Sequence, residues 1–174
     1  MYRDLLLLHA HQFTVHRSPI VVASLSLQNS YDGVRDMAPA VAALVAGDRS
    51  SFYGCGFISV QDTLSDLLGR HYYENCYIEG STDFIFGNGQ SIFQGCEVST
   101  GRTAVVPGFI TAQGRESEQN TTGFVFKGCK VGGVTPAYLG RAWRAYARVI
   151  FYQTDMSDVV VSQGWDAWNF KGNE

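Results

Sequence analysis

Two aspartates, Asp62 and Asp83, occupy the same position in successive copies of a short repeat. When Cys76 is laid on Cys55, an aromatic residue precedes each cysteine by three positions and an aspartate follows each by seven. Two carboxylates held within about 5 Å cannot both ionise freely, so the pair can divide into a proton donor and a nucleophile. The repeat therefore places two acidic groups where acid–base and nucleophilic chemistry could occur together.

Two further side chains could complete such a site. Gln61 offers an uncharged amide donor to a developing oxyanion, and Arg141 could keep one aspartate ionised if an excursion of the chain folds over the site. This set suits ester hydrolysis through an acyl-enzyme anhydride. A separation of about 5 Å also suits a retaining glycosidase, and aspartate is common in turns for structural reasons. Spacing alone leaves all three interpretations open.

The repeat continues on both sides of the two aspartates. Its anchor positions are 21, 20, 33 and 25 residues apart, at Cys55, Cys76, Cys96, Cys129 and Thr154. A recurring period in this range is typical of solenoids, and short β-branched and aromatic units broken by Gly or Asn favour strands. We therefore predict an all-β fold, a right-handed single-stranded parallel β-helix (solenoid) with strands about 4.8 Å apart.

Three segments need separate interpretation. Residues 38–46 are rich in alanine, but Pro39 and the turn that follows make a buried strand at least as good a prediction as a helix. The long interval between Cys96 and Cys129 predicts a loop that leaves the stack. Arg141 and Trp143 are two residues apart and would share a face if their segment is extended.

Composition limits the class of protein. The chain has 174 residues, of which 45% are hydrophobic and 17% charged, as expected of one soluble domain. A net charge of -3 without a basic run gives no general attraction to nucleic acid. The apolar run Leu5 to Leu8 is too short for a signal-peptide core or a membrane span. Neither nucleic acid nor a membrane is therefore an expected partner.

The cysteines and histidines suggest packing rather than metal chemistry. All four cysteines share one column of the repeat, where stacked thiols would act as small apolar fillers, although a disulfide between neighbours is geometrically possible. His9, His11 and His16 alternate as a strand would place them, which makes a metal site conceivable. Histidines near a terminus are more often solvated, so no metal and no cofactor is expected.

Five segments resemble a known family in the order in which they occur. GFISVQDTL, YIEGSTDFIFG, ITAQGR, YLGRAW and GWDAWN resemble the signature blocks of plant pectin methylesterases, which remove methyl groups from homogalacturonan. The resemblance runs from about Phe13 to Phe170 and implies a right-handed parallel β-helix. It implies that residues 13–174 are part of a catalytic domain that has further coils in the family, and it leaves the origin of residues 1–12 uncertain.

The resemblance also implies a role for each matching residue. Asp83 would be the nucleophile, and Asp62 would be the general acid and then the general base. Gln61 would donate to the oxyanion, and Arg141 would keep Asp83 charged. Packing in the core is the alternative for the four aromatic residues that would bind the sugar rings, Trp143, Trp168, Phe86 and Tyr138.

Two departures from the family pattern concern catalysis. Pro39 stands where the family usually carries a second oxyanion glutamine, and proline has no side-chain donor. Ser65 follows QDTL where an aromatic residue is common, which weakens one sugar contact. Pro39 and the missing coils keep open a catalytically impaired, truncated pectin-binding homologue, and a pectin-depolymerising β-helix hydrolase or lyase is the remaining alternative.

The resemblance implies partners and a location. The substrate would be methyl-esterified homogalacturonan (pectin), in cell-wall modification and pectin catabolism, and a proteinaceous pectinesterase inhibitor would be a second partner. The family implies secretion to the cell wall, although we find no signal peptide in this chain. The glycosylation sequon Asn120-Thr121-Thr122 is a weak independent indication of secretion.

Overall fold

The fold is a stack of parallel strands arranged in three sheets. The computed structural model describes residues 6–9, 13–16, 19–31, 37–103 and 105–171, with side chains from residue 13 onward. These ranges contain twenty strands, and each strand pairs in parallel with the strand one coil away. They contain no helix long and apolar enough to cross a membrane. The predicted right-handed parallel β-helix is confirmed.

The three sheets are called A, B and C, and each coil places one strand in sheet C, the next in sheet A and the next in sheet B. Sheet A contains β1 (Leu6–His9), β4 (Leu25–Gln28), β7 (Gly56–Ile58), β10 (Tyr77–Gly80), β13 (Glu97–Thr100), β16 (Lys130–Gly133) and β19 (Asp155–Met156). Sheet B contains β2 (Phe13–Val15), β5 (Ala43–Val45), β8 (Leu64–Asp66), β11 (Thr82–Gly87), β14 (Gly108–Gln113), β17 (Ala137–Ala142) and β20 (Trp165–Asp166). Sheet C contains β3 (Val21–Ala23), β6 (Ser50–Tyr53), β9 (Arg70–Glu74), β12 (Gln90–Gln94), β15 (Gly123–Lys127) and β18 (Val149–Tyr152).

A ladder of aromatic rings fills the interior beside sheet C. Neighbouring rings are nearly parallel, with centroids 5.0, 4.6, 4.5 and 4.5 Å apart. The ladder consists of Phe52, Tyr73, Phe93, Phe126 and Phe151. Because the ring spacing matches the spacing of paired strands, each ring can stack without shifting its coil. The aromatic column that defined the sequence repeat is thus a packing device.

The cysteines form a second interior column. All four are buried and none is in a disulfide. The thiol of Cys96 approaches the Tyr73 carbonyl at 3.5 Å, and that of Cys129 approaches the Phe93 carbonyl at 3.2 Å. Each of these thiols therefore packs against the backbone of the preceding coil, which confirms their predicted role as small apolar fillers.

Two ambiguous segments are resolved by the strand assignments. Residues 38–46 contain strand β5 and no helix, because the segment lies in sheet B between β2 and β8. The extra residues between Cys96 and Cys129 are divided between two connections, one from β13 to β14 and one from β14 to β15. The predicted loop therefore exists as two shorter excursions on either side of β14.

The conceivable histidine metal site falls mostly outside the described side chains. The side chain of His9 and the whole of His11 lie outside the described part of the structure, and His16 is exposed. Among the side chains that are described, no three His, Cys, Asp or Glu residues are grouped to hold a metal ion.

Candidate active site

The two aspartates of the repeat lie beside each other on consecutive coils. Gln61 forms an isolated parallel bridge with Thr82, and the Asp62 N–H donates to the Thr82 carbonyl at 3.1 Å. Asp62 and Asp83 follow these bridge partners directly, so they share one register position. This confirms the adjacency predicted from the 21-residue spacing.

The backbone at both aspartates is unusual. Asp62 has a φ of 60° and Asp83 a φ of 49°, in the left-handed region that side chains other than glycine seldom adopt. The pairing of β11 with β14 also shifts register between Thr82 and Ile85. A bulge of this kind redirects side chains, and such strain is concentrated at functional sites. Asp83 contacts Arg141, whereas its neighbour Phe84 belongs to the hydrophobic core.

Arg141, two coils away, forms a bidentate salt bridge with the Asp83 carboxylate. Its Nε donates to Oδ1 at 2.8 Å and its Nη2 to Oδ2 at 2.6 Å. This two-pronged geometry favours a charged, fixed carboxylate. The expectation that an excursion carries Arg141 over the site is wrong, because Arg141 lies within the sheet strand β17. A Cβ on Gly140 would lie 2.0 Å from the Thr111 Oγ1, so the close approach of β17 to β14 requires glycine beside Arg141.

Two aromatic rings pack against the Arg141 guanidinium. Its Cζ lies 4.1 Å from the ring centroid of Phe109 and 3.9 Å from that of Trp168. Tyr138 in turn stacks on Phe109, with centroids 5.3 Å apart. Two of the predicted sugar-binding residues, Trp168 and Tyr138, are therefore joined to the charged centre through this stack. Sequence reasoning missed Phe109, whose register with Tyr138 becomes visible once β14 and β17 are paired.

The other two predicted aromatic residues lie together. Strand β17 ends at Ala142, so Trp143 lies beyond the extended segment, contrary to its predicted sharing of a strand face with Arg141. The Trp143 ring meets the edge of Phe86 at a centroid distance of 6.2 Å. Both residues are partly exposed, which gives the site a second aromatic surface.

The surroundings of Asp62 raise the pKa of its carboxyl group. Burial raises the pKa of Asp62 to about 6, the nearby Asp83 charge adds to the rise, and Arg141 partly opposes it. A carboxyl group with this pKa can both give and accept a proton near neutral pH. The pair can therefore divide its roles, with Asp83 as the anion fixed by arginine and Asp62 as the proton carrier.

One row across sheet B holds the remaining predicted groups. Pro39 bridges to Gln61, which bridges to Thr82, so the position of the missing second glutamine adjoins the first. The Pro39 side chain has no donor, so of these two residues only Gln61 carries a side-chain amide N–H. Ser65 is buried within β8, so it does not replace the missing aromatic contact.

A second acidic network, which the sequence did not reveal, lies at the corner between sheets B and C. The Asp66 Oδ1 accepts from the Ser91 Oγ at 2.8 Å and lies 3.0 Å from the His71 Nδ1. Burial disfavours charge on His71, but the hydrogen bond and charge of Asp66 outweigh it and raise the pKa of His71. The side chains of Asp66 and His71 are 0% exposed, so this Ser–His–Asp arrangement has no access to substrate.

Comparison with known sequences identifies the family. The Pectinesterase family model matches residues 4–173. The chain is similar to probable pectinesterase 29 of Arabidopsis thaliana, with 49% identity over 164 residues that cover 88% of this chain and 49% of the relative. It is also similar to putative pectinesterase 14 of the same plant, with 52% identity over 129 residues that cover 74% of this chain and 39% of the relative. The chain thus spans about half the length of probable pectinesterase 29.

Solved structures show the same similarity. A pectin methylesterase from carrot superposes with a TM-score of 0.80 at 29% identity, covering 94% of this chain and 59% of that one. The pectin methylesterase PemA from Erwinia chrysanthemi gives a TM-score of 0.78 at 26% identity, covering 88% of this chain and 55% of that one. A pectin methylesterase in complex with a hexasaccharide gives 0.79 at 25% identity, covering 90% and 56%. This chain belongs to the pectinesterase family.

Proposed function

We propose that this chain carries the catalytic centre of a pectin methylesterase, a carboxylic ester hydrolase. It would convert C6 methyl esters of homogalacturonan into free carboxylates and methanol. The observation that carries the proposal is the two-pronged Arg141–Asp83 contact beside Asp62, whose pKa is raised to about 6. A fixed anion next to a protonated carboxyl group is what nucleophilic ester cleavage requires.

In the first half of the proposed reaction, the Asp83 carboxylate attacks the carbonyl carbon of the ester. The Gln61 amide donates to the oxyanion that forms, and Asp62 gives its proton to the methoxy oxygen as the carbon–oxygen bond breaks. Methanol leaves, and an anhydride joins Asp83 to the galacturonate carbonyl. Asp62 is now the carboxylate.

In the second half, Asp62 takes a proton from a water molecule. The resulting hydroxide attacks the galacturonate carbonyl, the anhydride breaks, and Asp83 leaves as a carboxylate. The sugar acid is released and Asp62 again carries its proton. No step in this scheme uses a metal or a cofactor.

Binding of the polymer would depend on aromatic contacts. The chain has a net charge of -3, which opposes a polyuronate, so stacking on rings is the favourable contribution available beside the site. Phe86 and Trp143 form one aromatic surface, and the stack of Tyr138 on Phe109 forms another. These surfaces support the proposed role of the predicted aromatic residues in holding galacturonate rings, with Trp168 contributing beside Arg141.

Membership of the pectinesterase family also supports a location and a second partner. Family membership favours secretion to the plant cell wall, where the enzyme would act in cell-wall modification and pectin catabolism. A proteinaceous pectinesterase inhibitor would bind by covering the aromatic surfaces around Asp83, since these partly exposed rings lie together with the charged groups.

The test is product analysis on highly methylated homogalacturonan. We expect methanol in proportion to new carboxylates, with no new reducing ends and no unsaturated products. Chain cleavage would instead assign the site to a depolymerising enzyme, since carboxylates about 5 Å apart also serve glycosidases. Pectin binding without methanol at any pH would show an impaired homologue, as the absent donor at Pro39 would explain.

A further inference from the structure

A hollow of about 440 Å³ lies on the outer face of sheet C, away from the candidate active site. Its floor is one row of side chains from four adjacent strands, in the order Tyr72, Ile92, Val125 and Ile150. Ile92 is 45% exposed and Ile150 is 47% exposed. Half-buried Val125 lies between them, so the row is a continuous, partly exposed apolar strip that a bound group could shield from water.

The neighbouring row supplies polar groups beside the hollow. It runs from Arg70 through Gln90 to Gly123, and Arg148 follows at the rim. Gly123 has a φ of 154°, and a Cβ there would lie 3.0 Å from the Arg148 Cδ. Glycine thus lets Arg148 pack closely against strand β15. The Arg70, Gln90 and Arg148 side chains beside the hollow can donate hydrogen bonds. An apolar floor with an amide and guanidinium rim suits a sugar better than it suits a purely apolar ligand.

The glycosylation sequon lies at the edge of this hollow. Asn120 closes a turn in which its N–H donates to the Ser117 carbonyl at 3.2 Å, and the Asn120 side chain is only partly buried. The next two residues, Thr121 and Thr122, line the hollow itself. The Thr122 Oγ1 donates to the Asn88 Oδ1 at 2.6 Å, which fixes the end of the sequon against the preceding coil.

We propose that Asn120 carries an N-linked glycan whose first sugars lie over the sheet C hollow. The Asn120 Nδ2 forms a bond to C1 of N-acetylglucosamine and loses a proton. The bond from C1 to the diphosphate of a polyprenyl-linked oligosaccharide breaks, and the lipid diphosphate leaves with the electron pair. The acetyl methyl group and the C–H face of the sugar cover Ile92 and Val125, while the hydroxyl groups bond to Gln90 and Arg148.

The proposal is independent of ester hydrolysis. The hollow is on sheet C, whereas Asp62, Asp83 and Arg141 belong to sheet B and its entry turns. A glycan at Asn120 would therefore protect an apolar face without closing the candidate active site. The two proposals also have different readouts, because the glycan is detected by mass and the hydrolase by methanol.

The first experiment measures the mass of the peptide that contains Asn120 after secretion from cultured eukaryotic cells behind a heterologous leader. We expect a hexosamine-containing adduct that N-glycosidase removes. Thr122→Ala should abolish the adduct. Thr121→Ala and Thr122→Ser preserve the sequon, so both variants should still carry the adduct. An unmodified Asn120 in the wild-type chain would overturn the proposal.

The second experiment compares hydrogen–deuterium exchange of the secreted protein before and after enzymatic removal of the glycan. We expect amides of β12, β15 and β18 to exchange at least about threefold more slowly with the glycan in place, because covering the row opposes local opening. Strands of sheet A, on another face, should exchange equally in both forms. Equal exchange in sheet C would contradict the placement of the glycan over the hollow.

Discussion

The molecule contains two aspartate networks, one around Asp83 and one around Asp66, and they differ mainly in their access to solvent. Asp83 is fixed by Arg141, and 11% of the Asp83 side chain and 20% of the Arg141 side chain remain exposed. Asp66 is fixed against His71, and both of these side chains are 0% exposed. The sealed set has the residue types of a catalytic triad, yet only the open set can meet a polymer. The residue types therefore limit which chemistry a network can perform, and its exposure decides whether a substrate can reach it.

The backbone separates the two networks in the same way. Asp66 lies in regular pairing with Val45, whereas Asp62 and Asp83 have positive φ and flank a shift in register. Regular pairing suits a network that stabilises the stack. Strain of about 1–3 kcal/mol for each unusual residue persists only where surrounding structure enforces it, as is common at active sites.

The largest effect on stability is expected from breaking the Asp66 network. Asp66→Leu removes the acceptor from both His71 and Ser91 inside the protein, so we expect a loss of about 3 kcal/mol in the free energy of unfolding. Chemical denaturation measures this loss. Asp48→Asn is the matched control, since it removes a surface partner of Arg70 and should shift the transition much less. A change for Asp66→Leu no larger than the control would contradict a stabilising role for the sealed network.

The next effect concerns the open network. Arg141→Gln leaves Asp83 without its charged partner, so we expect the rate of methanol release to fall about a hundredfold, with little change in stability. Arg141→Lys keeps the charge but not the two-pronged geometry and should fall between this variant and wild type. Methanol assays with circular dichroism measure both properties. Equal rates for Arg141→Gln and wild type would show that the contact is not part of the chemistry.

The pH dependence of stability should distinguish the two networks. The pKa of Asp62 is raised from 3.8 to about 6 in the folded protein. Its contribution to the free energy of unfolding is therefore complete below pH 3.8 and is lost as the pH rises to about 6. The pKa of His71 is raised above 6.5 in the folded protein. Its contribution to the free energy of unfolding is therefore complete below pH 6.5 and is lost as the pH rises through the higher pKa of the folded state. Asp62→Asn should remove the lower of these two declines. An unchanged decline between pH 3.8 and 6 in that variant would contradict the raised pKa.

The same pKa gives a kinetic expectation. If Asp62 must be protonated to release methanol, kcat/KM should fall about tenfold for each pH unit above about 6. The decline belongs to the free enzyme and is measured at low substrate concentration. A constant kcat/KM from pH 5 to about pH 8 would be incompatible with Asp62 as the general acid.

The smallest effect is expected at Trp168. Its ring lies 3.9 Å from the Arg141 Cζ, and a cation–π contact of this kind contributes about 0.5–1 kcal/mol at a partly exposed site. Trp168→Leu should lower kcat about threefold if the ring positions Arg141, and Trp168→Phe should restore part of the loss. A rise in KM with kcat unchanged would instead assign Trp168 to binding of the sugar alone.

The sequence predicts the parts of the site that repeat with the coil. Asp62 and Asp83 are 21 residues apart, which is one coil, so their adjacency follows from counting. The stacked cysteines and aromatic rings are predictable for the same reason. The fold class also follows, because each unit has one short pattern that must stack in register.

The remaining contacts depend on irregular intervals. Arg141 reaches Asp83 across two coils, with β14 between their strands and excursions on both sides of it, so counting could not bring the two residues together. Phe109 lies after the first excursion and was missed for that reason. The Asp66 network joins β8 to β9 and β12 at a corner, where side-chain direction changes and the repeat gives no signal.

The most direct test of the site is methanol release by Asp83→Asn, with Asp66→Asn as the sealed counterpart. The Asp83 variant should lose methanol release by a factor of at least about 10³ and keep its β-rich circular dichroism spectrum, because an amide cannot form the anhydride. The Asp66 variant keeps an acceptor oxygen and should retain its rate. An Asp83→Asn rate within about tenfold of wild type would contradict nucleophilic catalysis by Asp83.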